Sequence, residues 1–153
     1  MTPISGILQP EQVILNLEST GKPEAVQEVL ARLSGHGQVR DFDALRDAVV
    51  KRDAPTIVEN GWGICIAHGR TETVGTLVMA AGRSAAGFPS GEGETPIGLV
   101  FVAGIPAAMS SEYLRVVGAI ARICRDRHQI DRLLAAKTAR DFVELLAAGE
   151  RKL

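Results

Sequence analysis

The chain has 153 residues, of which 46% are hydrophobic and 23% charged, a balance typical of one globular domain with a continuous core across residues 1–153. Its 17 Lys and Arg residues nearly balance its 18 Asp and Glu residues. The basic excess needed to bind a nucleic-acid backbone is therefore missing, and no nucleic-acid partner is expected. The longest apolar stretch, Ile97 to Ile105, is far shorter than the ~20 residues that span a bilayer, so no membrane insertion is expected.

The sequence carries no pattern typical of export. The first 21 residues contain no Lys or Arg, whereas a secretory signal begins with a basic segment. The two cysteines, Cys65 and Cys124, form no CxxC pair and lack the density of a disulfide scaffold. We therefore expect a cytoplasmic protein whose thiols are reduced and buried.

Two helices are predicted near the amino terminus. The first begins around Pro23, which suits a first helical turn, and ends at the glycine-rich segment 34–37. Its apolar residues recur at helical spacing: Val26, Val29, Leu30 and Leu33. The second helix begins after Asp41, whose side chain can cap it, and ends near Arg52, ahead of Pro55.

Four short apolar runs then predict strands, at 56–58, 63–66, 76–79 and 98–102. The runs are continuous rather than alternating, which is typical of strands that helices cover on both faces. No helix or strand is predicted in the glycine-rich stretch from Gly82 to Pro96.

The remaining residues predict three helices. Ser110 or Ser111 can cap the first, which carries an apolar stripe, and residues 126–137 form the second. The third begins at Thr138, which with Asp141 resembles a capping box. Helices, then strands, then helices predict a layered α/β domain with its sheet between helical layers.

One segment, residues 60–70, combines glycines with a histidine. Its glycines permit a close approach of the backbone, and His68 is expected just past the end of a short strand, at the rim of the sheet. We expect Gly69 to leave the backbone around His68 open to a bulky reagent. A neutral imidazole is a competent nucleophile and needs no cofactor.

These residues resemble the mannitol/fructose-type (type 2) EIIA domains of the bacterial phosphotransferase system (PTS), which include nitrogen-regulatory relatives. In that family an arginine precedes the phosphate-accepting histidine by sixteen positions, with a Gly-x-Gly stretch between them. Arg52 and His68 have this interval, and Gly61 and Gly63 occupy two of the family's glycine positions. Further segments that follow the family's order extend the resemblance over nearly the whole chain: Ile7–Ile14, Pro23–Val26, Gly98–Val102, Glu112–Leu114 and Asp141–Leu146.

The resemblance implies a mannitol-type EIIA fold, which is an α/β/α sandwich with a mixed central sheet. It implies that His68 accepts a phosphoryl group from phospho-HPr or an HPr-like protein and passes it to an EIIB domain, or holds it as a regulatory signal. Arg52 would stabilise the group, and the backbone at Gly69 and Arg70, with Gly61 and Gly63, would cradle it. No cofactor is implied. We favour the nitrogen-regulatory type, while sugar specificity, regulatory target and oligomeric state are left open.

Three departures from the family pattern keep a second function open. Ala67 replaces the family's proline, Tyr113 replaces its second histidine, and Glu59 adds a carboxylate expected near the site. The alternative is a regulatory module of the same fold that docks on a target protein with little or no phosphorylation. Simpler roles are also open, because His68 could be a structural hydrogen-bonding group and Arg52 could complement a helix dipole.

Overall fold

The computed structural model describes residues 3–90 and 95–153. Its helices are α1 (Lys22–Leu30), α2 (Phe42–Val50), α3 (Ser110–Arg125), α4 (Arg127–Ala135) and α5 (Ala139–Arg151). Its strands are β1 (Val13–Ile14), β2 (Thr56–Glu59), β3 (Trp62–Arg70), β4 (Val78–Pro89) and β5 (Pro96–Ile105). None of the helices in these ranges is both long and apolar enough to cross a membrane.

The five strands form one mixed sheet in the order β1-β4-β5-β3-β2. Strand β5 pairs parallel with β3 and antiparallel with β4, while the two edge strands pair parallel (β1 with β4) and antiparallel (β2 with β3). Because β3 and β5 are parallel, their carboxyl ends meet at one edge of the sheet. The predicted α/β class with a mixed sheet is confirmed.

Helices cover both faces of the sheet, and this explains the continuous apolar runs. On β5, Leu99 and Phe101 point into a core shared with α3, α4 and α5. Their neighbours Val100 and Val102 point into a second core shared with α1 and α2. All four side chains are fully buried, because successive residues of a strand point to opposite faces.

Two of the predicted helix caps are confirmed. The Asp41 carboxylate accepts a hydrogen bond from the Ala44 N–H at 3.1 Å, and the Thr138 hydroxyl accepts one from the Asp141 N–H at 3.0 Å. The expected cap of α3 is wrong, because Met109 precedes the helix and makes no side-chain cap. The Ser110 hydroxyl instead donates to the Ala107 carbonyl oxygen at 3.1 Å.

The boundaries of all four predicted strands differ from the prediction, and β4 shows the difference most clearly. Strand β4 begins at Val78 and continues to Pro89, so much of the stretch expected to be irregular is strand, while residues 91–94 lie outside the described residues. Pairing with β5 offsets the weak strand propensity of this glycine- and alanine-rich segment, and a register shift between Arg83 and Phe88 accommodates it. Gly87, at φ +78°, lies inside the shift, where a Cβ would approach Trp62 Cζ3 to 3.0 Å.

Candidate functional site

His68 lies within β3, not after it. The parallel ladder between β3 and β5 continues through the pairs His68–Ala103 and Arg70–Ile105, so the strand extends two residues beyond the histidine. The expectation that His68 follows the strand was therefore wrong, because pairing with β5 decides where β3 ends. The residue still lies near the carboxyl ends of two parallel strands, where α/β proteins commonly place their sites.

Tyr113, in the first turn of α3, lies against the imidazole. The ring centroids of His68 and Tyr113 are 4.9 Å apart with an angle of 41° between the ring planes. Tyr113 is only 6% exposed, whereas His68 is half-buried. The tyrosine thus forms a wall beside the histidine, and burial raises the pKa of its hydroxyl to about 12. At neutral pH this hydroxyl is a protonated donor.

Two guanidinium groups act on the imidazole. Burial, followed by the positive charges of Arg52 and Arg70, lowers the pKa of His68 below its usual value. Both arginines are exposed. Arg52 follows the carboxyl end of α2, and Arg70 lies two residues after His68 on the same face of β3. The site therefore holds a neutral imidazole beside two permanent positive charges.

Only the backbone of Arg70 was predicted to belong to the site, and the structure adds its side chain. Residues two apart on a strand share a face, so a strand that continues past His68 carries the side chains of His68 and Arg70 on one face. A strand that ended before His68, as predicted, would not fix this relation.

Gly69 has a different role from the one expected. It is buried, and a Cβ there would lie 2.8 Å from Val49 Cγ2 and 2.9 Å from the Val49 backbone nitrogen. The missing side chain therefore lets α2 pack directly on β3. It does not open the backbone around His68 to a reagent.

The backbone N–H groups near His68 divide between the two sides of β3. Ile66 donates to the Pro55 carbonyl oxygen on the β2 side at 3.1 Å, and Thr71 donates to that of Ile105 on the β5 side at 3.0 Å. Because the direction alternates along a strand, the N–H of Gly69 lies in the ladder with β5. The N–H of His68 and of Arg70 point to the other side, beyond the end of β2.

Three residues expected near the site lie at the opposite end of β3. Gly61 and Gly63 precede His68 by seven and five residues, so roughly 16 Å or more separates them from it along the strand. Gly61, at φ +81°, forms the β2–β3 turn with Asn60, at φ +55°, as in a type I′ hairpin. Glu59 lies beside this turn and pairs with Arg125 at 3.7 Å. A cradle at His68 cannot include these glycines, and the Glu59 carboxylate is not beside it.

Cys65 lies on the other face of the sheet from His68. It belongs to the core with α1 and α2 and is fully buried, and burial raises the pKa of its thiol to about 11. The thiol is therefore protonated at neutral pH, and it cannot act together with the imidazole from the opposite face of the sheet.

The fold and the site together define an α/β domain that presents one imidazole among guanidinium groups at the edge of a mixed sheet. The family model described as "Phosphoenolpyruvate-dependent sugar phosphotransferase system, EIIA 2" matches residues 6–149. The chain belongs to this family, and the family resemblance of the sequence is thereby confirmed.

Relatives include both sugar-specific and nitrogen-regulatory proteins. The chain is 29% identical over 148 residues to the PTS system fructose-specific EIIA component of Haloferax volcanii, covering 96% of each chain. It is 27% identical over 150 residues to a nitrogen regulatory protein of Bradyrhizobium diazoefficiens, covering 95% of each. Its fold matches that of a chain in the solved complex of enzyme IIA mannitol and phosphorylated enzyme IIB mannitol from Escherichia coli. The TM-score is 0.70 at 20% identity, and the match covers 93% of this chain and 99% of the matched chain.

Proposed function

We propose that this chain is a phosphocarrier that acts as a single EIIA unit and accepts a phosphoryl group on His68. The observation that carries the proposal is a neutral, half-buried imidazole subject to the charges of Arg52 and Arg70 and walled by Tyr113. The donor in this proposal is phospho-HPr or an HPr-like protein, and the acceptor is an EIIB domain or a regulatory target. Membership of the EIIA family supports both assignments.

The transfer exchanges one nitrogen–phosphorus bond for another. The unprotonated ring nitrogen of His68 uses its lone pair to form a bond to phosphorus. The corresponding bond in the donor's phosphohistidine breaks, and its electron pair returns to the donor imidazole. The proton on the other ring nitrogen of His68 stays in place, and delivery to an acceptor reverses the exchange. No cofactor is needed to balance these steps.

The surrounding residues stabilise the charge that moves with the phosphoryl group. Arg52 and Arg70 supply positive charge to the phosphoryl oxygens, and the N–H of Arg70 points to the β2 side of β3, beyond the end of β2. Tyr113 supplies a neutral hydrogen-bond donor. Glu59, held at Arg125, adds no repulsion at this point.

Phosphate labelling tests the proposal. We expect incubation with enzyme I, HPr and phosphoenolpyruvate to add one acid-labile phosphate to the intact protein, seen by mass spectrometry. The His68→Ala variant should lose this mass increase, whereas His128→Ala, a change at an exposed histidine of α4, should keep it. An unchanged mass with active donors contradicts the proposal.

A second function, docking on a target protein with little or no phosphorylation, is favoured by one observation. The ring against His68 belongs to a buried tyrosine, which carries no positive charge at neutral pH. If this limits phosphorylation, Tyr113→His should increase the initial rate of labelling, while Tyr113→Phe should lower it. A rate unchanged in both variants means that residue 113 takes no part in the transfer.

The proposal also assigns a regulatory role to the chain. We place the chain with the nitrogen-regulatory branch, which the Bradyrhizobium relative supports, although the Haloferax relative is fructose-specific. Rapid transfer of the labelled phosphate to a fructose- or mannitol-type EIIB domain would assign the chain to sugar transport instead. Retention of the label in the presence of these domains supports the regulatory role.

A further inference from the structure

A cleft of about 290 Å³ opens on the face of β3 opposite His68. It lies between the start of α1 and the end of α2, and Ala67 of β3 lines it from the sheet. Its apolar lining includes Val26 and Val49, which belong to the adjoining core. Ligand pockets commonly begin near this volume, so the cleft suits a small metabolite rather than a nucleotide cofactor.

Lys22 is the most enclosed of the charged residues that line this cleft. Its side chain is 14% exposed, and its ammonium nitrogen lies 3.9 Å from Asp53 Oδ1, whose own side chain is 92% exposed. A contact this long to a solvated carboxylate compensates little for removing an ammonium group from water. The ammonium therefore retains capacity to bind an anion.

Two further positively charged residues line the cleft. Lys51 and Arg52 line it beside Lys22, against the single carboxylate of Asp53. The amino-terminal end of α1, where Lys22 is the first helical residue, adds further positive potential. Three cations and one anion leave two positive charges uncompensated, which matches a ligand with two negative charges.

We propose that this cleft binds a small organic dianion, either a dicarboxylate or a phosphate monoester, through Lys22, Lys51 and Arg52, with the ligand's short carbon chain against Val26, Val49 and Ala67. Arg52 belongs both to this cleft and to the surroundings of His68. A bound dianion therefore competes for the guanidinium that serves the phosphoryl group, and it acts as an inhibitor of phosphorylation. This coupling, but not the binding itself, rests on the proposed function.

Binding is tested with defined probes on the full chain. We expect millimolar succinate or glycerol 3-phosphate to shift the amide NMR signals of Val26, Ala54 and Ala67 in a saturable way, whereas butyrate, with one charge, binds at least about tenfold more weakly. Saturation by only one of the two dianions identifies the head group that the cleft prefers. No saturable shift with either dianion overturns the proposal.

Substitutions of Lys22 separate the cleft from general surface charge. Lys22→Met should weaken binding at least about tenfold, while Lys22→Arg retains it because the positive charge remains. Lys152→Met removes an exposed lysine and should leave the affinity unchanged. Equal loss in Lys22→Met and Lys152→Met, at unchanged thermal stability, contradicts a specific site.

The coupling is measured separately from the binding. With the unmodified protein, saturating dianion should slow labelling of His68 by enzyme I, HPr and phosphoenolpyruvate, and Lys22→Met should be insensitive to the same concentration. An unchanged labelling rate at saturation overturns the inhibitory coupling. Saturable binding to a chain that is never labelled overturns the phosphocarrier function and leaves the dianion site standing.

Discussion

The surroundings of His68 favour its neutral state, which the proposed role as a nucleophile requires. Partial burial removes water from the ring, and the charges of Arg52 and Arg70 disfavour a further positive charge beside them. The same two charges that would attract a phosphoryl group thus also keep the imidazole unprotonated. In the proposed function, the two arginines therefore serve both the incoming phosphoryl group and the nucleophile, while burial makes the largest contribution to the lowered pKa of His68.

Removing either charge should change the titration of His68. We expect Arg52→Gln and Arg70→Gln each to raise the pKa of His68, because less positive charge opposes protonation of the ring. The measurement is an NMR titration of the imidazole C–H signals. Arg46→Gln is the matched control, since Arg46 lies on α2 but pairs with Asp43. A pKa of His68 that is unchanged in both test variants contradicts this electrostatic account.

The lowered pKa of His68 also predicts how the stability of the protein changes with pH. The unfolded chain takes up the proton near pH ~6.5, before the folded protein does, so protonation favours unfolding as the pH falls through this value. We expect the Tm of the unmodified protein to fall more between pH 7.5 and 5 than the Tm of His68→Gln. Equal falls would show that other groups control the acid response.

At the scale of elements, the end of α2 contacts the end of β3 because Gly69 has no side chain to keep them apart. Gly69 allows Val49 to approach the strand to a distance that a Cβ would fill. This contact places the turn that carries Arg52 beside the strand that carries His68. The interval between these two residues therefore becomes a spatial relation only through helix–strand packing.

A pair of glycine substitutions tests this contact. Gly69→Ala should destabilise the protein by about 1–3 kcal/mol, because its Cβ would overlap Val49 and force α2 away from the sheet. Gly118→Ala, in α3, meets open space and should stabilise by up to about 1 kcal/mol through helix propensity. The measurement is urea unfolding of both variants. Similar effects of the two changes would contradict the packing argument.

Elements were predicted well where a local signal decides them. Asp41 and Thr138 cap their helices as expected because a cap depends on residues three positions apart. Strand ends were predicted poorly, because pairing partners distant in sequence decide them. The ladder with β5 carries β3 past His68, and it keeps β4 extended through a segment of weak strand propensity.

At the scale of the whole molecule, one buried arginine joins segments that are far apart in the chain. Arg83 of β4 is 5% exposed. Its guanidinium donates to the Leu15 carbonyl oxygen at 3.0 Å and to that of Leu133 at 3.3 Å, and it also donates to the Ala136 carbonyl oxygen. These bonds connect the segment after β1 and the end of α4 to the sheet.

Replacing this arginine should weaken the entire fold. We expect Arg83→Met to lower the free energy of unfolding by about 2–4 kcal/mol, because buried carbonyl groups lose their donors while the side-chain volume is largely kept. Arg115→Met removes a half-exposed arginine that pairs with Glu112 on α3 and should cost no more than about 1 kcal/mol. Chemical denaturation measures both, and equal losses would contradict a special role for Arg83.

The sequence by itself determined the class of the fold and the family. It also identified Arg52 and His68 as candidate residues of one site. Continuous apolar runs, helix caps and a fixed interval between two residues are local patterns, and such patterns can be recognised without knowing which distant segments pack together. The family resemblance also led to the expectation that Gly61 and Gly63 belong to the phosphate cradle and that Glu59 lies near the site.

Only the tertiary structure decided which of these neighbours share a site. An extended strand carries residues apart at about 3.3 Å each, so Gly61 and Gly63 lie at its far end. Tyr113, 45 positions away by number, contacts His68 because α3 begins where β5 ends beside β3. The cleft with Lys22 likewise exists only because α1 and α2 pack on one face of the sheet. Distance along a chain and distance through space are related only by the packing of its elements.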